Sequence, residues 1–189
     1  MSEPIRSRYR SSYCDLVAAL PGRRLRGAEI GVARGELSHY LLAHIKRLHR
    51  LYMIDQWCEI PAGHSYRRTR DSLASQTAEQ WQDMETLSRT VASYFPKRAV
   101  IIKQPSSEAV QPFRDNWLDF VFIDADHSYE GCLTNLREWY PKVRNGGLFS
   151  GHDYRHTRFR GVSKAVDEFA AANGLTVTAS RGHIWSVVK

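Results

Sequence analysis

At 189 residues, with 42% hydrophobic and 25% charged side chains, the chain is long enough for one well-buried core. That composition excludes both wholesale disorder and a membrane bundle. A net charge of +7 admits a nucleic acid, an acidic substrate or a solvated basic surface, while Cys14, Cys58 and Cys132 form no CxxC pair and so exclude a disulfide framework and a cysteine-zinc cluster. The expectation is a soluble, cytoplasmic chain that makes no use of a membrane, because the N-terminal apolar run LVAAL is too short for a targeting or spanning segment.

In chain order, "GAEIGVA" (27–33) reads as a buried strand that runs into a glycine turn and the helical pattern "ELSHYLLAHIKRL". "LYMID" (51–55) is a second strand. After it comes "WCEIPAGHSYRRTRDSLASQ" (57–76), too long for an ordinary connection and placed where a lid or substrate loop would sit. The helix "TAEQWQDMETLSRTVASYF" leads to strands "AVIIK" (99–103) and "LDFVFIDA" (118–125). Next, "YEGCLTNLREWYPKV" carries Leu133, Leu136 and Tyr140 at helical spacing. Strand "GGLFSGHD" (146–153), helix "GVSKAVDEFAAAN" and strands "LTVTAS" and "HIWSVVK" complete the chain, the last two predicted as an antiparallel hairpin around Ser180 to Gly182. Strands alternating with helices predict a single α/β domain: a Rossmann-like, doubly wound seven-stranded sheet, mostly parallel, with an antiparallel C-terminal strand.

Glu29, Gly31 and Gly35 lie at the first strand-to-helix turn, where glycines let the backbone turn sharply and the helix N-terminus offers free N–H groups. Asp55 ends the next strand twenty residues beyond Gly35, where a carboxylate accepts the hydroxyls of a ribose. A nucleoside ligand follows. A dinucleotide fold would want G-x-G-x-x-G, but "GVARGELS" puts Ala33 and Arg34 where that pattern needs room.

The pattern E-x-G-x-x-x-G instead resembles the first motif of class I S-adenosylmethionine-dependent methyltransferases. "YMIDQW", "IIKQPSSEA", "LDFVFIDADHSYEG" and "NGGLFSGHDY" resemble that family's later motifs in the same order. The resemblance puts Gly31, Val32, Ala33 and Gly35 against the methionine moiety, Asp55 on the ribose, Gln56 and Ser106 beside the adenine, and Glu29 and Ser38 in the same cofactor site. Gln104 and Pro105 stand where the small-molecule O-methyltransferases carry a glycine before that serine. In the branch resembling catechol, caffeoyl-CoA and macrocin-type O-methyltransferases, Asp124, His152 and Asp153 match the positions that hold a divalent metal. A histidine in place of an aspartate there shifts preference from Mg²⁺ toward Mn²⁺, iron or zinc.

Asp124 also borders the cofactor, and with His127 and His152 it is a candidate for the acid-base chemistry, since imidazole titrates near neutral pH. Asp126 is the alternative of a helix cap toward Ser128. His64, His156 and His183 read as surface histidines. Arg67, Arg68, Arg70, Arg155, Arg158 and Arg160 lie just beyond strand ends, where they either meet an acidic group on the acceptor or remain solvated. The resulting expectation is methyl transfer to a hydroxyl of a small molecule, sugar or glycoconjugate, by a monomer or homodimer, with no recognisable nucleic-acid module. A nicotinamide-dependent oxidoreductase and a non-catalytic nucleic-acid binder are the alternatives.

Overall fold

The computed structural model describes residues 5–189, with side chains from residue 9 onward. Residues 1–4, the start of the segment in which no targeting signal is expected, lie outside the described residues. In chain order the elements are α1 (Ile5–Ala19), β1 (Leu25–Ile30), α2 (Glu36–His44), β2 (Leu48–Asp55), α3 (Ala78–Ser93), β3 (Ala99–Lys103) and α4 (Ser106–Ala109). They continue with β4 (Leu118–Ile123), α5 (Tyr129–Trp139), β5 (Val143–Gly151), α6 (Arg160–Ala172), β6 (Thr178–Ser180) and β7 (Ile184–Val188). The seven strands form one sheet in the order β3-β2-β1-β4-β5-β7-β6. The first five run parallel, and β7 is antiparallel to both β5 and β6. The sheet is thus the doubly wound, reversed-strand arrangement expected, with the C-terminal hairpin at one edge.

Period-two alternation along the strands builds a core on each face. Ala28, Ile30, Val121, Ile123, Phe149, Trp185 and Val187 point to the face covered by α4, α5 and α6, against Leu136, Trp139, Val162 and Phe169. Their neighbours Phe120, Phe122, Leu148 and Ile184 point to the other face, where Tyr13 and Val17 of α1, Leu41 of α2 and Met84 of α3 meet them. All six residues of β4 are buried, as a central parallel strand requires. Among the described residues no helix is long and apolar enough to cross a membrane, and all three cysteines are free.

Several features depart from the sequence expectation or add detail to it. Helix α1 was not predicted, although Tyr9, Tyr13, Val17 and Leu20 repeat at helical spacing, and Tyr13 and Val17 are fully buried. The first strand ends at Ile30, not at residue 33, because Gly31 at φ 88° turns the chain out of extended geometry. Segment 57–76 is not an open loop. It contains two 3₁₀ turns, Ser65–Thr69 and Leu73–Ser75, and buries Ile60, Tyr66 and Ala74 in a small cluster of their own. A capping box then starts α3: Thr77 Oγ1 accepts from the Gln80 N–H at 3.3 Å, and Gln80 Oε1 accepts from the Thr77 N–H at 2.9 Å.

Candidate active site

Four of the five parallel strands, β1, β3, β4 and β5, extend their ladders by one bond, and that bond delivers the first residue of the following loop. The Gly31 N–H donates to the Ile54 carbonyl (2.9 Å), Asp124 N–H to Ile30 (2.8 Å), Gln104 N–H to Asp55 (3.1 Å) and His152 N–H to Ile123 (3.0 Å). Residues far apart in sequence therefore meet at the C-terminal edge, across the β1–β4 boundary where the strand order switches direction.

Gly31 is tight as well as left-handed: a Cβ there would lie 2.0 Å from the Asp124 carbonyl oxygen. Gly31→Ala should cost about 3 kcal/mol, combining a left-handed alanine with a clash against backbone that cannot rotate away. Thermal denaturation checks this, and an unchanged Tm would contradict the close approach. Gly35, at φ 76°, caps α2 and sits 3.2 Å (ideal Cβ) from Ser88 Cα of α3. Between the two glycines, Ala33 is left-handed at φ 48°, and its carbonyl accepts from Trp57 Nε1 and Ser88 Oγ, both at 2.8 Å.

Asp55 organises this turn. Its Oδ2 accepts from the N–H groups of Val32 and Ala33, and its Oδ1 from that of Trp57, all at 2.9 Å. A carboxylate offers about four acceptor positions, so these bonds leave about one for a ligand hydroxyl. Burial raises the Asp55 carboxyl above its usual range, against the pull of those N–H groups. Glu29 is buried deeper, and burial pushes its carboxyl up to about 8 despite the hydrogen bond donated by Ser38 Oγ. Ser38 thus serves Glu29. Glu29 also borders a small cleft shared with Tyr9, Gly31 and Asp124.

Beside the turn lies a cavity of about 400 Å³, bounded by Gly31, Asp55, Gln56, Ser106, Asp124 and Asp126, with Ile60, Tyr66 and Leu73 of the long segment forming one wall. Ser106 Oγ donates to Asn135 Oδ1 at 2.5 Å and accepts from Trp139 Nε1 at 2.7 Å, which ties α4 to α5. Asp126 Oδ1 accepts from the Ser128 N–H at 2.7 Å, and Ser128 caps α5 by accepting from Gly131 at 3.1 Å. The cap reading of Asp126 and its place in the cavity wall therefore coexist.

At the cavity's end, ligand atoms of Asp124, His152 and Asp153 lie within 4.8 Å of one another. Asp153 is left-handed at φ 61°, a strained conformation of the kind held at functional sites. His127 Nε2 sits 3.2 Å from Asp124 Oδ1 and 3.0 Å from Asp153 Oδ2, while its Nδ1 is 2.6 Å from Asp71 Oδ2. Burial alone would lower the His127 imidazolium, but the hydrogen bonds it donates to Asp124, Asp153 and Asp71 outweigh it and hold it well above its ordinary value. Burial alone would raise the Asp71 and Asp153 carboxyls, but their imidazole partners outweigh it and hold both below the usual carboxylate range. His152 is raised in the same way by Asp124 and Asp153. Tyr9 of α1 packs on its ring, with centroids 4.6 Å apart.

Sequence reading did not find Asp71, Tyr66 or Tyr9. Tyr9 had a signal in the helical spacing of α1. Asp71 had none, because its role comes only from the folding of segment 57–76 over His127.

These features define an α/β domain with a ligand cavity at its switch point, a carboxylate clamping a glycine turn and an Asp/His cluster at the cavity's end. Residues 28–154 match the methyltransferase domain family, two thirds of the chain, and the chain belongs to that family as an S-adenosylmethionine-dependent methyltransferase. That membership sets aside the oxidoreductase alternative. The fold is similar to the O-methyltransferase NovP, with a TM-score of 0.68, 20% identity, and 98% of this chain and 79% of that one covered. It is also similar to an O-methyltransferase from Bacillus cereus in complex with S-adenosylhomocysteine, with a TM-score of 0.65, 15% identity and coverage of 100% and 83%. An uncharacterised protein (R132) of Acanthamoeba polyphaga mimivirus is 34% identical over 68 residues, 34% of this chain and 31% of that protein. The matched region is thus under a third of that relative.

Proposed function

We propose that the chain transfers a methyl group from S-adenosylmethionine to a hydroxyl of a small molecule or sugar carrying an anionic group. The observation that carries this reading is the single cavity that joins the Asp55-clamped turn to Asp124, the carboxylate that also meets His127 beside Asp153. In such a transfer the acceptor oxygen forms its bond to the methyl carbon as the carbon–sulfur bond breaks, the pair of electrons goes to sulfur, and the hydroxyl proton must leave. The sulfonium is already activated, so alignment supplies most of the rate. Asp124, at 26% side-chain exposure the most open carboxylate of the cluster, is the group that meets the incoming hydroxyl. Asp124 takes the hydroxyl proton, and His127, with Nε2 at 3.2 Å from Oδ1, holds that carboxylate in place beside His152.

Two carboxylates and an imidazole make a mixed O/N donor set that suits Mn²⁺, Fe²⁺ or Zn²⁺ better than Mg²⁺, and the 4.8 Å spread admits one ion. Asp124, His152 and Asp153 would hold it. When bound, it would supply a Lewis acid that lowers the acceptor hydroxyl's pKa.

The anionic group is supported by the arginines. Arg67, Arg68, Arg70, Arg155, Arg158 and Arg160 are exposed and make no ion pair among the described residues. Both segments bearing them pack on His127, through Asp71 and Tyr66 on one side and Phe159, 4.5 Å between centroids, on the other. Guanidiniums in this position suit a carboxylate or phosphate.

Calorimetric titration with S-adenosylhomocysteine, after EDTA and then with Mn²⁺, Zn²⁺ or Mg²⁺ added, tests the reading. Expected are micromolar binding of the nucleoside and a separate metal heat that Asp124→Ala removes. Absence of nucleoside binding would overturn the cofactor assignment, and absence of a metal heat would leave the chemistry to the side chains alone.

A further inference from the structure

Segment 57–76 touches the cavity and the histidine at once. Ile60, Tyr66 and Leu73 wall the cavity, and five residues after Tyr66, Asp71 reaches His127. Asp71 is itself fixed: Tyr66 Oη donates to Oδ2 at 3.0 Å, and the Leu73 N–H donates to Oδ1 at 2.9 Å. Two further contacts run from this segment to the loop after β4, Ser65 Oγ to Ser128 Oγ at 3.0 Å and His64 Nδ1 to Asp126 Oδ2 at 3.8 Å. Trp57 anchors the start of the segment in the core covered by α1, α2 and α3, which Leu73 also borders, and beyond it Ile60, Tyr66 and Ala74 form a small cluster of their own. Residues beyond Trp57, with a cluster of their own and held to the loop after β4 by a few polar contacts, can open without unfolding the sheet.

The His127 ring, for its part, lies between Tyr66, edge-on at 5.7 Å, and Phe159. With Nδ1 bound to Asp71, the opposite nitrogen can only face Asp124 and Asp153. Take Asp71 away and the ring loses the contact that sets which nitrogen faces the cluster.

We infer that Asp71 is a positioning residue: the segment beyond Trp57 is a lid latched to His127 through it, so that closing the cofactor cavity and aiming His127 at Asp124 and Asp153 are one event. The part His127 plays in methyl transfer rests on the methyltransferase reading above, whereas the latch does not. A lid that completes the reacting constellation only when shut keeps the sulfonium from water until an acceptor is enclosed.

The latch is tested without cofactor, by two readouts. In ¹⁵N-labelled protein, the Nδ1 proton of His127 should give a protected, downfield resonance, assigned by its loss in His127→Ala. Asp71→Ala should abolish it. Arg67, Arg68 and Arg70 are exposed trypsin sites within the lid. Asp71→Ala should speed cleavage there on the order of tenfold, since a hydrogen bond to a charged group is lost. His127→Ala should do the same from the other side, and the double variant should add nothing further. This second variant keeps the test decisive if Asp71→Ala fails to fold. An unchanged Nδ1 resonance or cleavage rate in Asp71→Ala, or additive effects in the double variant, would overturn the inference. Failure of wild type to bind S-adenosylhomocysteine would instead sink the cofactor assignment and leave the latch result intact.

Discussion

Asp55→Ala is expected to abolish S-adenosylhomocysteine binding and also to lower stability by about 3 kcal/mol, because three backbone N–H groups lose their acceptor at once. A carboxylate that only touched a ligand could be removed without harm to the fold. This one holds Val32 and Ala33 with one oxygen and Trp57 with the other. Desolvation of the charge offsets part of the gain, as the raised carboxyl records, so the net cost stays well below three full unsatisfied bonds. Asp55→Asn is the sharper variant. Both oxygens accept from N–H groups, so an amide nitrogen at either position sets donor against donor, and Asn should fall close to Ala. Chemical denaturation and calorimetry on both variants decide the matter. If Asn kept wild-type stability and affinity, the clamp would not be what holds the turn.

Stability should be greatest on the acid side of neutrality and fall as pH rises from about 5 to 9, by several kcal/mol. The sign follows from the buried groups. Glu29, raised from 4.5 to about 8, favours the folded state while protonated, and that contribution is lost as pH climbs through that interval. His127 and His152, raised above 6.5, contribute most below that value and lose it as pH passes their folded values. Asp71 and Asp153 are depressed below 3.8, so their contribution is present above that pH and lost only in stronger acid. Between these limits lies the optimum. Glu29→Gln mimics the protonated acid and keeps an acceptor for Ser38, so it should flatten much of the decline. Melting temperatures measured across pH for wild type and Glu29→Gln test both statements. A wild-type Tm that rises from pH 5 to 9 would contradict the burial of Glu29 as a neutral acid.

The parallel sheet was legible because its strands are short apolar runs separated by amphipathic helices, and "AVIIK" matches β3 residue for residue. The glycine turn was legible because a positive φ, and a Cβ that would fall 2.0 Å from the Asp124 carbonyl oxygen, admit little else at Gly31. The meeting of Asp124 with His152 and Asp153 was anticipated from a resemblance of motifs rather than from any local rule. The geometry at that corner comes from the parallel pairing of β4 and β5. Helix α1 went unread because its Arg and Ser residues obscure a narrow apolar stripe, whose meaning depends on the sheet face it covers.

What the sequence by itself determined is periodicity and backbone permission: which runs become strands, where the chain can turn left-handed, and which ionisable residues end a buried strand. These are local properties, set by sterics and burial over a few residues. Tertiary structure alone decided which of those residues share a partner. Asp71 reaches His127 across 56 positions, and Tyr9 comes from α1 to cover His152. The same packing committed Asp55 to the glycine turn and shut Glu29 away from water. Contacts of that range, and the charge states they impose, depend on how loops fold over the sheet edge, which no local pattern of residues encodes.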